Sequence, residues 1–243
     1  MERFLYTAMG GALHTLTAQR IHANNLANAG TTGFRADLEQ VAAYQVQGPG
    51  FASNVLAQEQ DPTTDFTPGH LETTGRDLDV AIRGAGFLSV QAANGKEAYT
   101  RAGNLQVDAD GQLLADGRPV LGVGGPIQVP DYQSITLGQD GTVSVVPVGG
   151  NATLQLGQLK LVNPAIQGLA KGEDGLFHLK AGGQAPQDPN VVLEPGHLEA
   201  SNVNAVDEMV NTLSLSRTFE VQIRMMKTAD ELSAAGSRLV RGA

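Results

Sequence analysis

The sequence predicts an α+β protein in which a long helix at each end flanks a central antiparallel β-rich region. Three observations predict it. Apolar residues near both ends recur at steps of three and four, the spacing of one face of a helix. Between them, Asn-Gly or Asp-Gly pairs recur at 94–95, 110–111, 116–117, 140–141 and 174–175; such pairs supply the positive φ that tight hairpins need. The pentapeptide Pro-Gly-His-Leu-Glu stands at 68–72 and again at 195–199, once on each side of the β-rich region.

The first helix is expected over about 2–28. Leu5, Met9, Ala12, Leu16, Gln19, Ala23 and Leu26 form a heptad seam with one polar member, which points to a coiled-coil-like partner. Asn28 and Gly30 tolerate the left-handed conformation that ends a helix, and Gly33 adds a second breaker. Asn24, Asn25 and Asn28 crowd the end of this helix. Asn is a mediocre helix former, so three in five positions lower helix stability unless the amides are used. Fixing the register between packed helices is one such use.

Residues 36–74 read as a connector. Residues 36–44 can extend a helix, Gln-Gly-Pro-Gly at 47–50 breaks it, and Asp-Pro-Thr-Thr-Asp at 61–65 reads as loop. The β-rich region spans 75–202, with strands expected at 78–82, 87–90, 135–137, 143–146 and 159–162. The last helix is expected over 203–240. Its stripe starts as Val203, Val206, Val210 and Leu213, then runs Ser216, Phe219, Ile223 and Met226, with a slip to three-residue steps around Ser216. A helix of that length, roughly 50 Å, needs partner helices along it. The Pro-Gly of each pentapeptide copy is a turn signal. The copies should lie close together where the chain enters and leaves the β-rich region. That would bring residues 1–35 and 203–243 into one helical domain.

Composition narrows the function. With 16 Lys+Arg against 25 Asp+Glu the net charge is −9, and no basic cluster exists to release counterions from nucleic acid or to dock on anionic lipid. The absence of cysteine excludes disulfides, Cys-zinc sites and thiol catalysis. No apolar run is long enough to span a bilayer. Residues 1–11 lack the basic start and unbroken apolar core of a secretory signal. Gly84-Ala-Gly86 and Gly122-Val-Gly124-Gly125 match no nucleotide loop. His70, Glu72, His197 and Glu199 have zinc-ligand chemistry, but a His and a Glu flanking a Leu read first as solvent-facing strand residues. No carboxylate pair, Asp77/Asp79 included, stands out for catalysis. The chain is therefore expected to be non-enzymatic, without cofactor, metal or small-molecule substrate.

Several motifs, in order along nearly the whole chain, carry a resemblance. Residues 23–35 read Ala-Asn-Asn-Leu-Ala-Asn-Ala-Gly-Thr-Thr-Gly-Phe-Arg. Residues 69–82 read Gly-His-Leu-Glu-Thr-Thr-Gly-Arg-Asp-Leu-Asp-Val-Ala-Ile, followed by Gly-Ala-Gly-Phe at 84–87. Tyr-Thr-Arg-Ala-Gly-Asn at 99–104, Gly-Gln-Leu-Leu at 111–114 and Leu-Glu-Ala-Ser-Asn-Val-Asn-Ala-Val-Asp-Glu-Met at 198–209 continue the series. Together they resemble the bacterial flagellar rod and hook proteins. Within that family, Tyr-Thr-Ala-Met-Gly at 6–10 and the modest length point to the proximal rod, the distal rod being the alternative. A secreted β-domain binding module is the reading outside the family. The resemblance implies a structural subunit, exported by the flagellar type III apparatus without a cleaved signal. It would assemble helically with copies of itself and other rod proteins, as part of a rod that spans the periplasm and transmits torque. Its terminal helices would form the inner axial core. The assembly interface would then comprise Leu5, Met9, Leu16, Asn24, Asn25, Leu26, Asn28, Gly33, Phe34, Val206, Val210, Leu213, Phe219, Ile223 and Met226.

Overall fold

A computed structural model describes residues 2–45, 55–59, 62–150 and 152–241. The expected break at 47–50 lies outside them. The architecture is α+β, with a helix near each end, α1 (Glu2–Ala27) and α2 (Ala205–Arg241), and antiparallel strand pairs between. The chain divides into two compact units. Unit 1 is Met1–Ala29, Ala36–Asp65 and Val203–Ala243; unit 2 is Gly30–Arg35 and Phe66–Asn202.

In unit 1, α1 and α2 pack together and α1 also lies against the strand Val55–Glu59. Hydrogen bonds from Thr15 to Gln222 and from Asn25 to Glu208 show that the helices run antiparallel. The start of α2 is well specified. The Asn204 side chain accepts from the Val206 amide at 3.1 Å, and Asp207 and Glu208 sit in the first turn, where the helix dipole favours negative charge. The end of α1 differs from expectation. Gly33, at φ +68°, takes the left-handed conformation, whereas Asn28 and Gly30 do not. Asn28 instead folds its side chain back onto the Asn24 carbonyl at 2.9 Å. Residues 36–45 are not helical: Asp37–Leu38 pairs with Thr63–Thr64, and Val41–Gln45 pairs with Val55–Glu59. Tertiary strand partners here override a weak local preference.

Unit 2 is built of hairpins. A five-stranded antiparallel sheet has the order Leu161–Val162, Phe87–Gln91, Glu97–Thr100, Phe177–Leu179, Leu169–Lys171. Two three-stranded sheets accompany it: Tyr132–Leu137, Thr142–Pro147 and Leu154–Gln158, and Leu105–Val107, Leu113–Ala115 and Arg118–Pro119. All five glycines of the Asn-Gly and Asp-Gly pairs have positive φ. Asp116 joins Gly117 in that region, as a two-residue turn with both central φ positive requires. The main core is aliphatic, including Val90, Leu105, Leu113, Val120, Val143 and Leu159, each essentially inaccessible. A second cluster is aromatic: Phe66, Phe87 and Phe177 meet with ring centroids 5.3–6.2 Å apart, beside buried Tyr99.

The two pentapeptide copies do meet. Leu71–Thr73 pairs antiparallel with His197–Glu199, setting Glu72 opposite Leu198 and Leu71 opposite Glu199. Val192–Pro195 continues the exit side by pairing with Val80–Arg83. The backbones approach closely here: a Cβ on Gly103 would stand 1.6 Å from the Val80 carbonyl oxygen. Gly103→Ala should therefore destabilise unit 2 by at least about 2 kcal/mol through backbone displacement. Chemical denaturation checks this; an unchanged midpoint would contradict the packing.

Candidate functional site

The surface best suited to a function in the described residues is the outward side of α1 and α2, and it follows from which faces these helices bury. On α1 the buried residues are Ala8, Ala12, Thr15, Ala18, Ile21 and Asn25, mostly small. The expected seam shares Ala12 with this face but otherwise lies about a third of a turn away. Of its members, Met9 and Leu16 are 47% and 44% exposed, while Leu5, Gln19 and Leu26 are half-buried and Ala23 is exposed. Tyr6 and Leu13 extend the exposed stripe, so Tyr6, Met9, Leu13 and Leu16 recur at steps of three and four.

On α2 the sheltered stripe is Ala205, Glu208, Thr212, Leu215, Phe219, Gln222, Met226 and Ala229, in strict alternation of three and four. Phe219 and Met226 belong to it and Ile223 lies half-buried beside it. Val206, Val210 and Leu213 instead face outward, 59–67% exposed. The slip expected at Ser216 is thus no irregularity of one seam. It is the join between an outward stripe, Val206 to Leu213, and an inward one, Phe219 to Met226. A shallow groove of about 560 Å³ runs along the outward side, lined by Val210, Leu213, Ser214, Arg217, Thr218 and Val221. Large exposed side chains at helical spacing in two neighbouring helices are the pattern of a helix-packing surface.

Asn25 makes the junction of unit 1. It is 1% exposed. Its Oδ1 accepts from the Asp37 amide at 2.9 Å, and its Nδ2 donates to the Asp37 carbonyl at 2.9 Å and to Glu208 Oε1 at 3.3 Å. The side-chain amide thus pairs with one residue's backbone as a neighbouring strand would. The other Glu208 oxygen contacts His22 Nδ1. Asn24 is exposed and Asn28 folds back on the helix end, whereas the Asn25 amide ties α1 to both the Asp37 strand and α2. His22, Asp37 and Glu208 were not legible as members of this junction. Each is an ordinary polar residue whose partner lies on another element. Asn25→Ala should cost about 1–3 kcal/mol, because the Asp37 backbone groups lose their partner. Hydrogen exchange at the Asp37 amide would report it, and unchanged protection there would remove Asn25 from this role.

Gly33 and Phe34 lie in unit 2. The Gly33 amide donates to the Glu199 carbonyl at 2.7 Å, and a Cβ on it would stand 2.3 Å from the Arg101 backbone. Phe34 is half-buried, with Lys171 Nζ 3.9 Å from its ring centroid. Beside them a charge cluster is buried. The Glu199 carboxylate is 2% exposed; it pairs with Arg35 through Oε1 and with Arg101 through Oε2 at 2.9 Å, and accepts from the Gly69 amide at 3.0 Å. Arg101 also donates to the Ile82 carbonyl at 3.0 Å and to the Gly84 carbonyl. Burial pulls the Arg101 guanidinium below its ordinary pKa; Glu199 opposes that shift and Arg35 adds to it. The zinc reading fails on this geometry: Glu199 faces two cations, His197 Nδ1 donates to the Pro195 carbonyl at 3.0 Å, and His70 pairs with Glu72 at the surface.

Comparison with known proteins bears on these surfaces. Three family descriptions match: "Flagella basal body rod protein" at residues 5–35, "Flagellar hook protein FlgE/F/G D1 domain" at 81–145 and "Flagellar basal body rod FlgEFG protein C-terminal" at 194–239. The flagellar basal-body rod protein FlgF of Salmonella typhimurium is 42% identical over 99% of both chains, and that of Escherichia coli is 41% identical over 99% of both. The flagellar basal-body rod protein FlgG of Bacillus subtilis is 31% identical over 96% of this chain and 97% of its own. The match at 5–35 and the match at 194–239 span most of α1 and most of α2, the two helices with exposed apolar stripes. The chain belongs to the flagellar basal-body rod protein family.

Proposed function

We propose that the chain is a structural, non-enzymatic subunit of the bacterial flagellar basal-body rod, most similar in role to the FlgF relatives and placed in the proximal rod. The observation that carries this reading is the pair of outward apolar stripes on α1 and α2, within a family of rod proteins. Such stripes have no use in a monomer and an obvious one in a helical assembly. In this reading the helices within residues 1–35 and 203–243 form the axial core through coiled-coil-like packing, residues 36–74 lead from that core into the body, and 75–202 make up most of the outer body. The stripes divide the labour. Met9, Leu16, Val206, Val210 and Leu213 meet neighbouring subunits. Leu5, Leu26, Phe219, Ile223 and Met226 support the α1/α2 pair, with Asn25 fixing its register and Asn24 and Asn28 finishing α1. Gly33 and Phe34 anchor the chain in the body.

No helix in the described residues is long and apolar enough to cross a membrane. Passage to the periplasm through the flagellar type III apparatus belongs to the same proposal and rests on the family of rod proteins. The 42% and 41% identity to the Salmonella typhimurium and Escherichia coli FlgF proteins, against 31% to the Bacillus subtilis FlgG protein, supports the proximal over the distal rod. A density map of basal bodies from cells producing the chain tests the proposal. The chain should be found in the rod with both helices against neighbouring subunits. Basal bodies that assemble a complete rod without it would overturn the assignment.

A further inference from the structure

The buried cluster in unit 2 has an unusual distribution along the chain. Arg35 lies 164 residues before Glu199, and Arg101 lies 98 before it. The three ions come from the entry segment, the middle of the body and the exit strand. All three are nearly inaccessible: Arg35 and Glu199 are 1% exposed and Arg101 is 7% exposed. Closing contacts across such separations carries a larger chain-entropy loss than closing a hairpin. Charge adds a second condition. Two guanidiniums buried together repel, and a buried ion without its partner is strongly unfavourable. Docking residues 30–35 beside Arg101 is therefore opposed until Glu199 arrives.

Several backbone contacts share that condition. The Gly33 amide bonds to the Glu199 carbonyl, the Gly69 amide to the Glu199 carboxylate and the Ala200 amide to the His70 carbonyl at 2.9 Å. The entry segment, the first pentapeptide copy and the exit strand all converge on one residue. By contrast, the pairs Phe87–Gln91 with Glu97–Thr100 and Tyr132–Leu137 with Thr142–Pro147 need only local chain.

We propose that Arg35, Arg101 and Glu199 form a closure lock: the hairpins of unit 2 form first, and the entry and exit segments join them only when Glu199 has been delivered between the two arginines. The residues act as positioning groups for the chain segments that lead to α1 and α2. For a chain that emerges N-terminus first, Arg35 would stay undocked until nearly the whole body is out. That use of the delay rests on the export reading above; the lock itself does not.

Refolding of the full chain from denaturant with pulsed hydrogen exchange tests the order. Amides in Phe87–Gln91 and Thr142–Pro147 should become protected in an earlier phase than those of Gly33, Gly69 and Ala200. Protection of all of them in one phase overturns the lock. In native Glu199→Gln, exchange at Gly33, Gly69 and Ala200 should quicken at least tenfold more than at the hairpin amides. Unchanged rates at the three amides, or equal acceleration throughout unit 2, also overturns it. Should Glu199→Gln fail to fold, the refolding order of the unsubstituted chain decides alone. Rod incorporation is read separately: a chain with the expected folding order that never enters the rod counts against the proposed function and leaves the lock standing.

Discussion

Leu213→Asp should leave the purified chain folded and abolish its incorporation into the rod, and Leu16→Asp should do the same from the other helix. Both side chains are largely exposed, Leu213 at 61% and Leu16 at 44%. In the isolated chain a surface change of this kind alters stability by about 0.5 kcal/mol. In an assembly the same carboxylate would be buried without a partner, at roughly 3 kcal/mol or more for every copy. The asymmetry between the two states is the diagnostic. Circular dichroism should be close to that of the unsubstituted chain, while cells carrying either variant as their only copy should not swim. Ile223→Asp is a poorer probe, because Ile223 is half-buried beside the inner stripe of α2 and its loss would disturb unit 1 as well. Normal swimming by both Leu variants would show that the outward stripes do not carry assembly.

Glu199→Ala should be the most destabilising single change in the β-rich unit. It leaves Arg35 and Arg101 buried side by side without a counter-charge and strips the Gly69 amide of its acceptor. Removing one member of a buried ion cluster costs about 3–5 kcal/mol, and in a unit of this size that lowers the melting temperature by on the order of 10 °C. The informative control is the triple change Arg35→Met, Arg101→Met, Glu199→Leu. Replacing all the charges together by apolar groups of similar volume is often neutral or stabilising, so the triple variant should recover most of the loss. A Glu199→Ala protein as stable as the parent would mean that water reaches the arginines.

The β-rich region was legible because its signals are local. Each Asp-Gly or Asn-Gly pair dictates a turn by itself, and the five expected strands fall within a few residues of those found. The pentapeptide repeat was a non-local signal of a rare kind, since identity between two segments does not depend on knowing the fold. The helices were legible as helices but not in their orientation. α1 carries large apolar residues around much of its circumference, so a seam could be drawn through Met9 and Leu16, whereas Ala8, Thr15 and Ala18 were the ones buried. Size misled: small residues give close helix contact, and large ones were left for other partners. The burial of Arg35 and Glu199 could not be read from composition, because charged residues lie at the surface by default. The matching residue of the other pentapeptide copy, Glu72, does so, with its side chain 60% exposed.

The contact between α1 and α2 has a mechanical side. Its inner faces carry the small residues Ala8, Ala12, Thr15 and Ala18 on one helix, and on the other Glu208, Thr212 and Gln222 interleaved with Leu215, Phe219 and Met226. Small side chains on α1 give shallow ridges, so it is the larger residues of α2 and a few bonds that resist sliding one helix past the other. The bonds that resist it are local: Asn25 with Asp37 and Glu208 at one end, and Thr15 with Gln222 further along. Such a pair is fastened by directional bonds at its Asn25 end and again at Thr15, so a load along either helix is taken up at those points.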